Sequence, residues 1–217
     1  MNLELLYHME MMRKRRIAAG GDTMTPLTLT ALTAGSKVTL NKVGSPPAVS
    51  LEYSTGGAWS TYTIGTEITL VSAGDYIKFR GNNGTFSTTL TDYYQFVMSG
   101  TIGASGNVMS LVDSTCKLLT IPCDFCFIYL FNGCIGLTTA PALPATTLAT
   151  SCYRSTFQGC TKLSSIEVSF TSWTQATNPT ATWVTSVASS GTFTKPAALA
   201  EEYGTSRIPT GWTVVNK

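Results

Sequence analysis

The chain has 217 residues, of which 43% are hydrophobic and only 12% charged, about half the charged share of an ordinary globular domain. This length and apolar content can supply a substantial core without covalent cross-links, and abundant Thr, Ser and Gly are typical of all-β proteins of the extracellular type. A formal net charge of +2 gives no basis for a nucleic-acid partner, because binding to phosphates requires clustered Lys and Arg.

Residues 1–23 are predicted to hold an amino-terminal helix followed by a glycine hinge. Leu, Met and Glu favour a helix over about residues 2 to 17, a basic run lies near its carboxyl end, and a Gly-Gly pair ends it. The basic residues follow the apolar ones, and acidic residues interrupt the apolar stretch, so the segment lacks the order of a secretory signal. No window approaches the roughly 20 apolar residues of a membrane span.

This helix carries more apolar surface than one buried strip requires, so we expect it to dock on another protein. The alternatives are that it covers its own domain or lies on a membrane surface, since Met-rich faces suit protein grooves and basic ends suit anionic lipid. The residues expected to make the anchor are Leu3, Leu5, Leu6, Met9, Met12, Arg13, Arg15 and Arg16.

Residues 24–112 are predicted to form a β-sandwich. Short bursts such as "VSLEYS" and "EITLVS" alternate apolar and polar residues, which is the period of a half-buried strand. Turn residues such as Asn82-Asn83-Gly84 separate the bursts and supply the positive φ angles that hairpins require. About seven or eight strands at this spacing indicate a sandwich of the immunoglobulin-like type.

A 26-residue repeat occupies much of residues 113–170. The unit F-x-G-C-x-x-L begins at Phe131 and again at Phe157, and a Cys followed by an aromatic residue occurs at Cys126 and Cys152. Within a unit, the Phe and Cys are predicted to share one side of a short helical turn, and the Leu to begin an extended stretch. Stacking one unit on the next would bury apolar edges that neither buries alone. The predicted repeat core is Cys126, Phe131, Cys134, Leu137, Cys152, Phe157, Cys160 and Leu163.

The flanking segments are predicted to cap this short stack, because stacked repeats need about three units plus caps. A degenerate earlier copy is predicted at Leu118, where "LLTIP" parallels "LTTAP" from Leu137. The sandwich caps one side, and residues 171–217 form a carboxyl-terminal cap on the other. In that cap "PAALAEEYG" predicts a short helix and "GWTVV" a closing strand.

The F-x-G-C-x-x-L unit and its connector "LPATTLA" resemble the BspA-like branch of leucine-rich repeats, found in surface proteins of gut Bacteroidetes and in proteins of their phages, including short head-fibre and tail-associated types. The resemblance is specific over residues 118–168. It extends with less specificity through "GAWSTYTIGTEITL" and through the ending "GTFTKPAALAEEYGTSRIPTGWTVVNK". It implies a short leucine-rich-repeat solenoid. Family members often carry many copies, whereas this chain has barely two, so a long concave binding surface is not implied.

All six cysteines lie within residues 113–170. The repeat accounts for four of them as small buried apolar residues, which favours structural thiols. Cys123 and Cys126 also form a CxxC pair, so disulfides and half of a zinc site are the alternatives. No second CxxC follows, and the sole histidine, His8, lies in the amino-terminal segment. We expect no metal and no cofactor.

The sequence offers little for catalysis. A Ser-His-Asp or Cys-His site needs a histidine beside its nucleophile, and His8 precedes the glycine hinge. A glycosidase needs two carboxylates across a cleft, but the acidic residues fall in turns or in a first helical turn, where such groups are usually solvated or capping. They are Asp75, Asp92, Asp113, Asp124, Glu201 and Glu202.

Aromatic side chains could contact glycans by stacking on sugar rings if one sheet face exposes them, although such residues more often pack a sandwich. The four candidates are Trp59, Tyr62, Tyr93 and Tyr94.

We therefore expect a non-enzymatic exterior protein of a bacteriophage particle, a head-fibre or tail-associated decoration subunit. The body is extracellular in composition while its start lacks an export signal, and virion assembly resolves that conflict because lysis releases the product. The expected partners are other virion proteins of the capsid or tail, bound through the amino-terminal helix, further copies of the chain in a homotrimer, and a host-surface glycan or protein. The alternative is a secreted bacterial cell-surface leucine-rich-repeat adhesin, and a carbohydrate-active enzyme is a third hypothesis.

Overall fold

The computed structural model describes residues 25–217, and this part of the chain is mainly β, which confirms the predicted class. One short 3₁₀ helix, η1, spans Val108–Leu111, and none of the described residues is α-helical. The strands are β1 (Leu27–Ala31), β2 (Ser36–Val43), β3 (Leu51–Ser54), β4 (Ser60–Tyr62), β5 (Ile68–Leu70), β6 (Tyr76–Gly81), β7 (Tyr93–Ser99), β8 (Ile102–Ser105), β9 (Ser165–Glu167), β10 (Thr192–Lys195) and β11 (Thr213–Asn216).

The predicted amino-terminal helix over residues 2 to 17, with its anchoring residues and His8, lies outside the described residues. The described chain starts at Thr25, and Pro26 forms a parallel bridge with Asn107 directly before β1. The chain therefore enters the body beside the start of η1. Within residues 25–217, no helical segment has the length and hydropathy needed to cross a bilayer.

Strands β1 to β8 form two antiparallel sheets that pack on each other. The five-stranded sheet has the order β4-β3-β6-β1-β8, and the three-stranded sheet has the order β5-β2-β7. In β1 the apolar residues are buried and the intervening threonines are half-buried, as the period of two predicts. Phe79 of β6 meets Phe96 of β7 with ring centroids 5.3 Å apart, and the hydroxyl of Tyr62 in β4 accepts a hydrogen bond from the N–H of Leu40 in β2. The core of this region therefore lies between the two inner faces.

A parallel ladder joins the five-stranded sheet to a carboxyl-terminal sheet. Strands β9, β10 and β11 pair in parallel, and β11 lies where the closing strand is predicted. The residues after β9 bridge back to residues 137–143 through Val168 and Leu143. Residues 137–143 pair in turn with β8, where Ile102 bridges to Leu137. Backbone pairing therefore continues without interruption from β8 to β11 and connects the antiparallel region to the parallel one.

Three layers of turns stack beside this ladder. We call them the first, second and third layers, at residues 124–134, 150–160 and 177–187. Alternate N–H groups of the first layer bond in two directions. The N–H of Phe127 donates to the carbonyl of Cys152 in the second layer at 2.9 Å, whereas that of Ile128 donates to the carbonyl of Phe125 within its own layer at 3.0 Å. The second layer bonds to the third in the same alternating way.

Left-handed backbone at every fourth residue permits this alternation. In the first layer Phe125, Tyr129 and Gly133 have φ angles of 58°, 55° and 73°, and the second layer repeats the pattern 26 residues later from Ser151. A non-glycine residue in this region costs about 1–2 kcal/mol, which the bonds between layers offset. The predicted short helical turn is therefore wrong, because a right-handed helix directs each N–H along its own chain and would leave none for the next layer.

The third layer has no recognisable repeat motif in the sequence, because the repeat slips by one residue there. The left-handed position moves from Ser155 to Thr182, an offset of 27 residues instead of 26. At that offset Val184 stands where the second layer has Phe157, a serine replaces the glycine, and a valine replaces the cysteine. The F-x-G-C motif is therefore absent although the layer is present.

The segment from Leu118 is predicted from the sequence to be an earlier copy of the one from Leu137, but the two do not correspond in space. The N–H of Ile121 donates to the carbonyl of Thr147 at 3.0 Å, and Thr120 forms a parallel bridge with the same residue. Residues 137–143 lie beside β8 instead. The two similar peptides therefore occupy different sides of the stack.

The short helix predicted for "PAALAEEYG" is also absent. The N–H of Leu199 donates to the carbonyl of Pro196, and the chain continues as turns. The ammonium of Lys195, whose side chain is 2% exposed, donates to the carbonyl of Leu199 at 2.7 Å. That carbonyl is thus bonded to a side chain where a helix would bond it to a later N–H.

An aromatic column runs from the sheets through the stacked layers. Its rings belong to Phe79, Phe96, Phe131, Phe157 and Trp183, and successive centroids lie 5.3, 5.2, 5.8 and 6.2 Å apart. The buried apolar residues of the sheets, the layers and the carboxyl-terminal region belong to one contiguous cluster. The first layer therefore packs on β7 much as each later layer packs on the one before it.

Candidate functional site

The cysteine side chains between the layers form the most distinctive chemical group in the described chain. The thiol of Cys134 donates to the carbonyl of Phe96 in β7 at 3.2 Å, and that of Cys160 donates to the carbonyl of Phe131 at 3.0 Å. Cys134 is 2% exposed and Cys160 is fully buried. Each of these thiols therefore bonds to the main chain of the aromatic residue beneath its layer, in β7 or in the first layer. Neither sulfur faces water at this boundary between neighbouring layers, which we call the seam.

Cys126 and Cys152 occupy the opposite end of their layers and are fully buried. The Sγ of Cys152 lies 4.0 Å from the carbonyl oxygen of Pro179 in the third layer. Burial raises the pKa of Cys152 and of Cys160 to about 12, and it raises the pKa of Cys126 and Cys134 well above its ordinary range. These four thiols therefore keep their protons at neutral pH, and a protonated thiol is a poor nucleophile and a poor metal ligand.

Cys123 differs from the other thiols. It is half-buried, and its Sγ lies 3.8 Å from the carbonyl oxygen of Ser87. A hydrogen bond from the Cys126 thiol lowers the pKa of Cys123 to about 7, against the opposing effects of burial and of the Asp124 carboxylate. A large fraction of Cys123 is therefore thiolate near neutral pH, which is the reactive form of cysteine.

The geometry of the cysteines bears on the disulfide and zinc alternatives. Cys123, Cys126, Cys134, Cys152 and Cys160 are free thiols. Within residues 25–217, no group of three His, Cys, Asp or Glu side chains is placed to hold a metal ion. The CxxC pair thus stands by itself in this part of the chain as two neighbouring thiols.

The four aromatic candidates for glycan contact are not brought together. Tyr62 and Tyr94 are buried, and their hydroxyls donate to the carbonyls of Thr66 and Pro47. They contribute to the core of the two sheets, so a sugar ring would have to displace that packing to reach them.

The other two aromatic candidates are half-buried and already have partners. The guanidinium of Arg80 lies over the Trp59 ring, 4.1 Å from its centroid. Tyr93 packs against Tyr129 of the first layer, with ring centroids 4.8 Å apart. Trp59 and Tyr93 thus keep partial exposure, and each already contacts a neighbouring side chain.

The acidic residues considered for catalysis bind nearby main-chain or basic groups. The carboxylate of Asp92 accepts hydrogen bonds from the N–H of Ser45 and from the hydroxyls of Thr89 and Thr91, which lower its pKa. Asp75, Asp113 and Asp124 likewise accept from backbone N–H groups, while Glu201 and Glu202 lie beside Lys195 and Arg207. These are turn-capping and ion-pairing arrangements.

Lys195 is a buried charged residue that sequence reasoning did not single out. Its ammonium donates to the carbonyl of Leu199 and lies 3.8 Å from the half-exposed carboxylate of Glu201. The alternation of "TFTK" places Lys195 on the same face of the strand as Phe193, and this is the one feature of the sequence that indicates its burial.

Comparison with protein-family models, with curated proteins and with solved structures finds no match to this chain.

Proposed function

We propose that this protein is a non-enzymatic structural protein on the exterior of a phage virion, a head-fibre or tail-associated decoration subunit. Its amino-terminal segment anchors it to other virion proteins, and its β body projects outward and contacts host-surface glycans or proteins. In this proposal residues 24–112 are an immunoglobulin-like sandwich, and residues 113–170 a short BspA-like leucine-rich-repeat solenoid.

The observation that carries the proposal is the continuity of the body. Backbone pairing extends from β8 to β11, and the aromatic column crosses from Phe79 to Trp183 through a single apolar cluster. Domains joined by a linker have separate cores and move relative to one another by default. A body with one core and one ladder is stiff, which suits a spike that must hold a terminal surface away from a particle.

The surface composition supports an exterior location. Only 12% of the residues are charged, whereas Thr and Ser are abundant. The described carboxylates bind turns or basic side chains, so they support a structural role better than a catalytic one.

The stacked layers support the solenoid part of the proposal. A 26-residue offset brings Phe131 over Phe157 with the rings nearly parallel, at an interplanar angle of 10°. Leu137 and Leu163 are both fully buried where each layer turns into the ladder. Repeat proteins are stabilised in this way, by contacts between nearest neighbours.

The location is tested by mass spectrometry of purified phage particles and of host outer-membrane fractions. We expect the chain in particles at a fixed ratio to the major capsid or tail proteins. Its presence in the host envelope alone would overturn the virion proposal and support the alternative, a cell-surface adhesin. That alternative draws on the same hydroxyl-rich surface and the same family resemblance.

The anchor is tested by deleting residues 1–21. We expect a soluble fragment that unfolds cooperatively and no longer assembles onto particles. A matched control carries Val215→Thr in the full chain, because Val215 is an exposed side chain at the far carboxyl-terminal strand. The proposal is wrong if the fragment still assembles, and the segment belongs to the fold if the fragment collapses.

The homotrimer is tested by analytical ultracentrifugation of the full chain and the deletion fragment. We expect a trimer for the first and a monomer for the second, since self-association of the amino-terminal helix around an axis is the proposed cause. A monomeric full chain would remove this part of the proposal without affecting the location.

A further inference from the structure

Directly before the first layer lies a cysteine, Cys123, that the stacking does not require. The left-handed positions show that residues of the first layer correspond to those of the second at an offset of 26. Cys126 therefore corresponds to Cys152, whereas Cys123 corresponds to Ala149. Since a methyl group suffices at this place in the second layer, packing explains the sulfur of Cys126 but not that of Cys123.

The turn that holds the two sulfurs is fixed from outside. The carboxylate of Asp124 accepts the N–H of Thr150 at 2.8 Å, and the N–H of Phe125 donates to the carbonyl of the same threonine at 2.8 Å. Phe125 has a φ of 58°, which tightens the chain between the cysteines. The ends of such a four-residue turn lie within about 7 Å, which overlaps the Cα separation of disulfide-bonded cysteines.

The two thiols also differ in access. Cys123 is half-buried at the rim of the first layer and its thiol shares a hydrogen bond with that of Cys126, which is fully buried behind it. An incoming reagent therefore meets Cys123 first, and Cys126 lies behind it as its hydrogen-bond partner. An accessible attacking thiol beside a resolving thiol is the arrangement that supports thiol–disulfide exchange.

We propose that Cys123 and Cys126 form a redox-active dithiol, which a small organic disulfide oxidises to an intramolecular disulfide. The Cys123 thiolate attacks one sulfur of the small disulfide, so that a mixed disulfide forms and one small thiolate leaves. Cys126 then loses its proton and attacks the Cys123 sulfur, which releases the second small thiolate. The protein gives up two electrons and two protons, and the small disulfide becomes two thiols.

The direction of attack follows from the shared proton. The hydrogen bond from Cys126 lowers the pKa of Cys123 to about 7 and raises that of Cys126 further above its ordinary range. Cys123 is therefore the nucleophile near neutral pH. Burial is the main cause of the raised pKa of Cys126 and persists once Cys123 is in a mixed disulfide, but the neighbouring thiolate no longer adds to it. Cys126 then loses its proton more readily and acts as the resolving thiol.

The test uses the full reduced chain and glutathione disulfide as the probe. The folded protein is incubated at about pH 8, where small thiols exchange readily, then remaining thiols are alkylated and the peptides are mapped by mass spectrometry. We expect a Cys123–Cys126 link as the main product, formed at least about tenfold faster than any reaction of Cys134 or Cys160.

Two variants separate the roles of the sulfurs. In Cys126→Ser, glutathione should remain attached to Cys123, because the resolving thiol is missing. In Cys123→Ala, which introduces the residue that the second layer has at this place, neither product should form. Cys152→Ala is the matched control, since it removes the equivalent buried thiol of the next layer and should leave the Cys123–Cys126 link unchanged.

The wild-type peptide map decides the proposal even if a variant does not fold. A Cys123 that keeps its glutathione, links to Cys152, or remains fully alkylatable after prolonged incubation would overturn it. These results are independent of where the protein resides, so they neither support nor weaken the virion proposal.

Discussion

The thiol of Cys160 donates to the carbonyl oxygen of Phe131 at 3.0 Å, one layer back, and Cys134 makes the same bond to Phe96 of β7 at 3.2 Å. Strand β7 thus offers the first layer an aromatic ring and a carbonyl acceptor, and the first layer offers the same two groups to the second. The sequence repeat therefore reflects a repeated hydrogen bond as well as a repeated side-chain size.

Replacing this thiol by a hydroxyl tests the seam. Cys134→Ser should reduce the free energy of unfolding by about 1–3 kcal/mol, because a more polar group is buried and a shorter side chain lengthens the bond to Phe96. Chemical denaturation followed by tryptophan fluorescence measures the change. Adding a reducing agent to the wild-type protein should change its stability little, and a large loss on reduction would show that a disulfide supports the fold.

The aromatic column should dominate the stability of the stacked layers. Phe157 is fully buried between Phe131 and Trp183, so Phe157→Ala should cost about 3–5 kcal/mol by removing both contacts and leaving a cavity. Ile135→Ala is the control, because Ile135 is 63% exposed, and it should change stability by no more than about 0.5 kcal/mol. Equal effects of the two substitutions in urea denaturation would contradict the role of the column.

The left-handed backbone of the layers predicts a cost without a steric clash. Gly133 has a φ of 73°, and a Cβ added there meets nothing within 4 Å. Gly133→Ala should therefore destabilise the protein by about 1–2 kcal/mol through backbone conformation alone.

Gly57 supplies the comparison for this prediction. It also has open space around an added Cβ but lacks a positive φ, so Gly57→Ala should change the thermal midpoint very little. If the two variants melt at the same temperature, the left-handed conformation at Gly133 carries no cost.

Alkaline pH should weaken the fold through the buried thiols. The pKa of Cys152 and of Cys160 is about 12 in the folded chain, against an ordinary value of 9.0. On raising the pH, these thiols ionise in the unfolded chain before they ionise in the folded one. Their contribution to the free energy of unfolding is therefore fully present below about pH 9 and is lost as the pH rises towards 12. Cys123 acts with the opposite sign, since its pKa of about 7 stabilises the fold only as the pH rises from about 7 to 9.

Urea midpoints measured across this pH range check both effects. Cys160→Ala should reduce the fall above about pH 9, and Cys123→Ala should remove the contribution between about pH 7 and 9. An unchanged alkaline profile in Cys160→Ala would show that the thiol ionises equally well in both states.

The sequence was sufficient for the β class and for the first two layers because those features depend on periodic burial. Alternation in β1 places its apolar residues inward, and the return of Phe131 as Phe157 places two stacked rings in one column. The third layer could not be found at a fixed offset, because one extra residue precedes Thr182. Even at an offset of 27 residues the motif is unrecognisable, because Val184 and Ser186 stand where the second layer has Phe157 and Gly159.

Other features could not be predicted because they depend on unusual backbone or on distant contacts. Phe125 and Tyr129 are left-handed although aromatic residues rarely adopt that conformation, so nothing local suggested turns in place of a helix. The burial of Tyr62 and Tyr94 depends on which sheet face each occupies, and both faces were available to an aromatic residue. The low pKa of Cys123 depends on the hydrogen bond that it accepts from Cys126.

The alternating hydrogen bonds of the layers make the stack modular, because its length can change by whole layers. Each layer bonds to the layer before it and the layer after it, so a whole 26-residue unit could be inserted or removed between Phe131 and Phe157 while every remaining layer kept an equivalent neighbour. Each inserted unit would extend the stack by about 4.8 Å, the spacing of paired strands. The length of the stack would therefore change in steps of one layer.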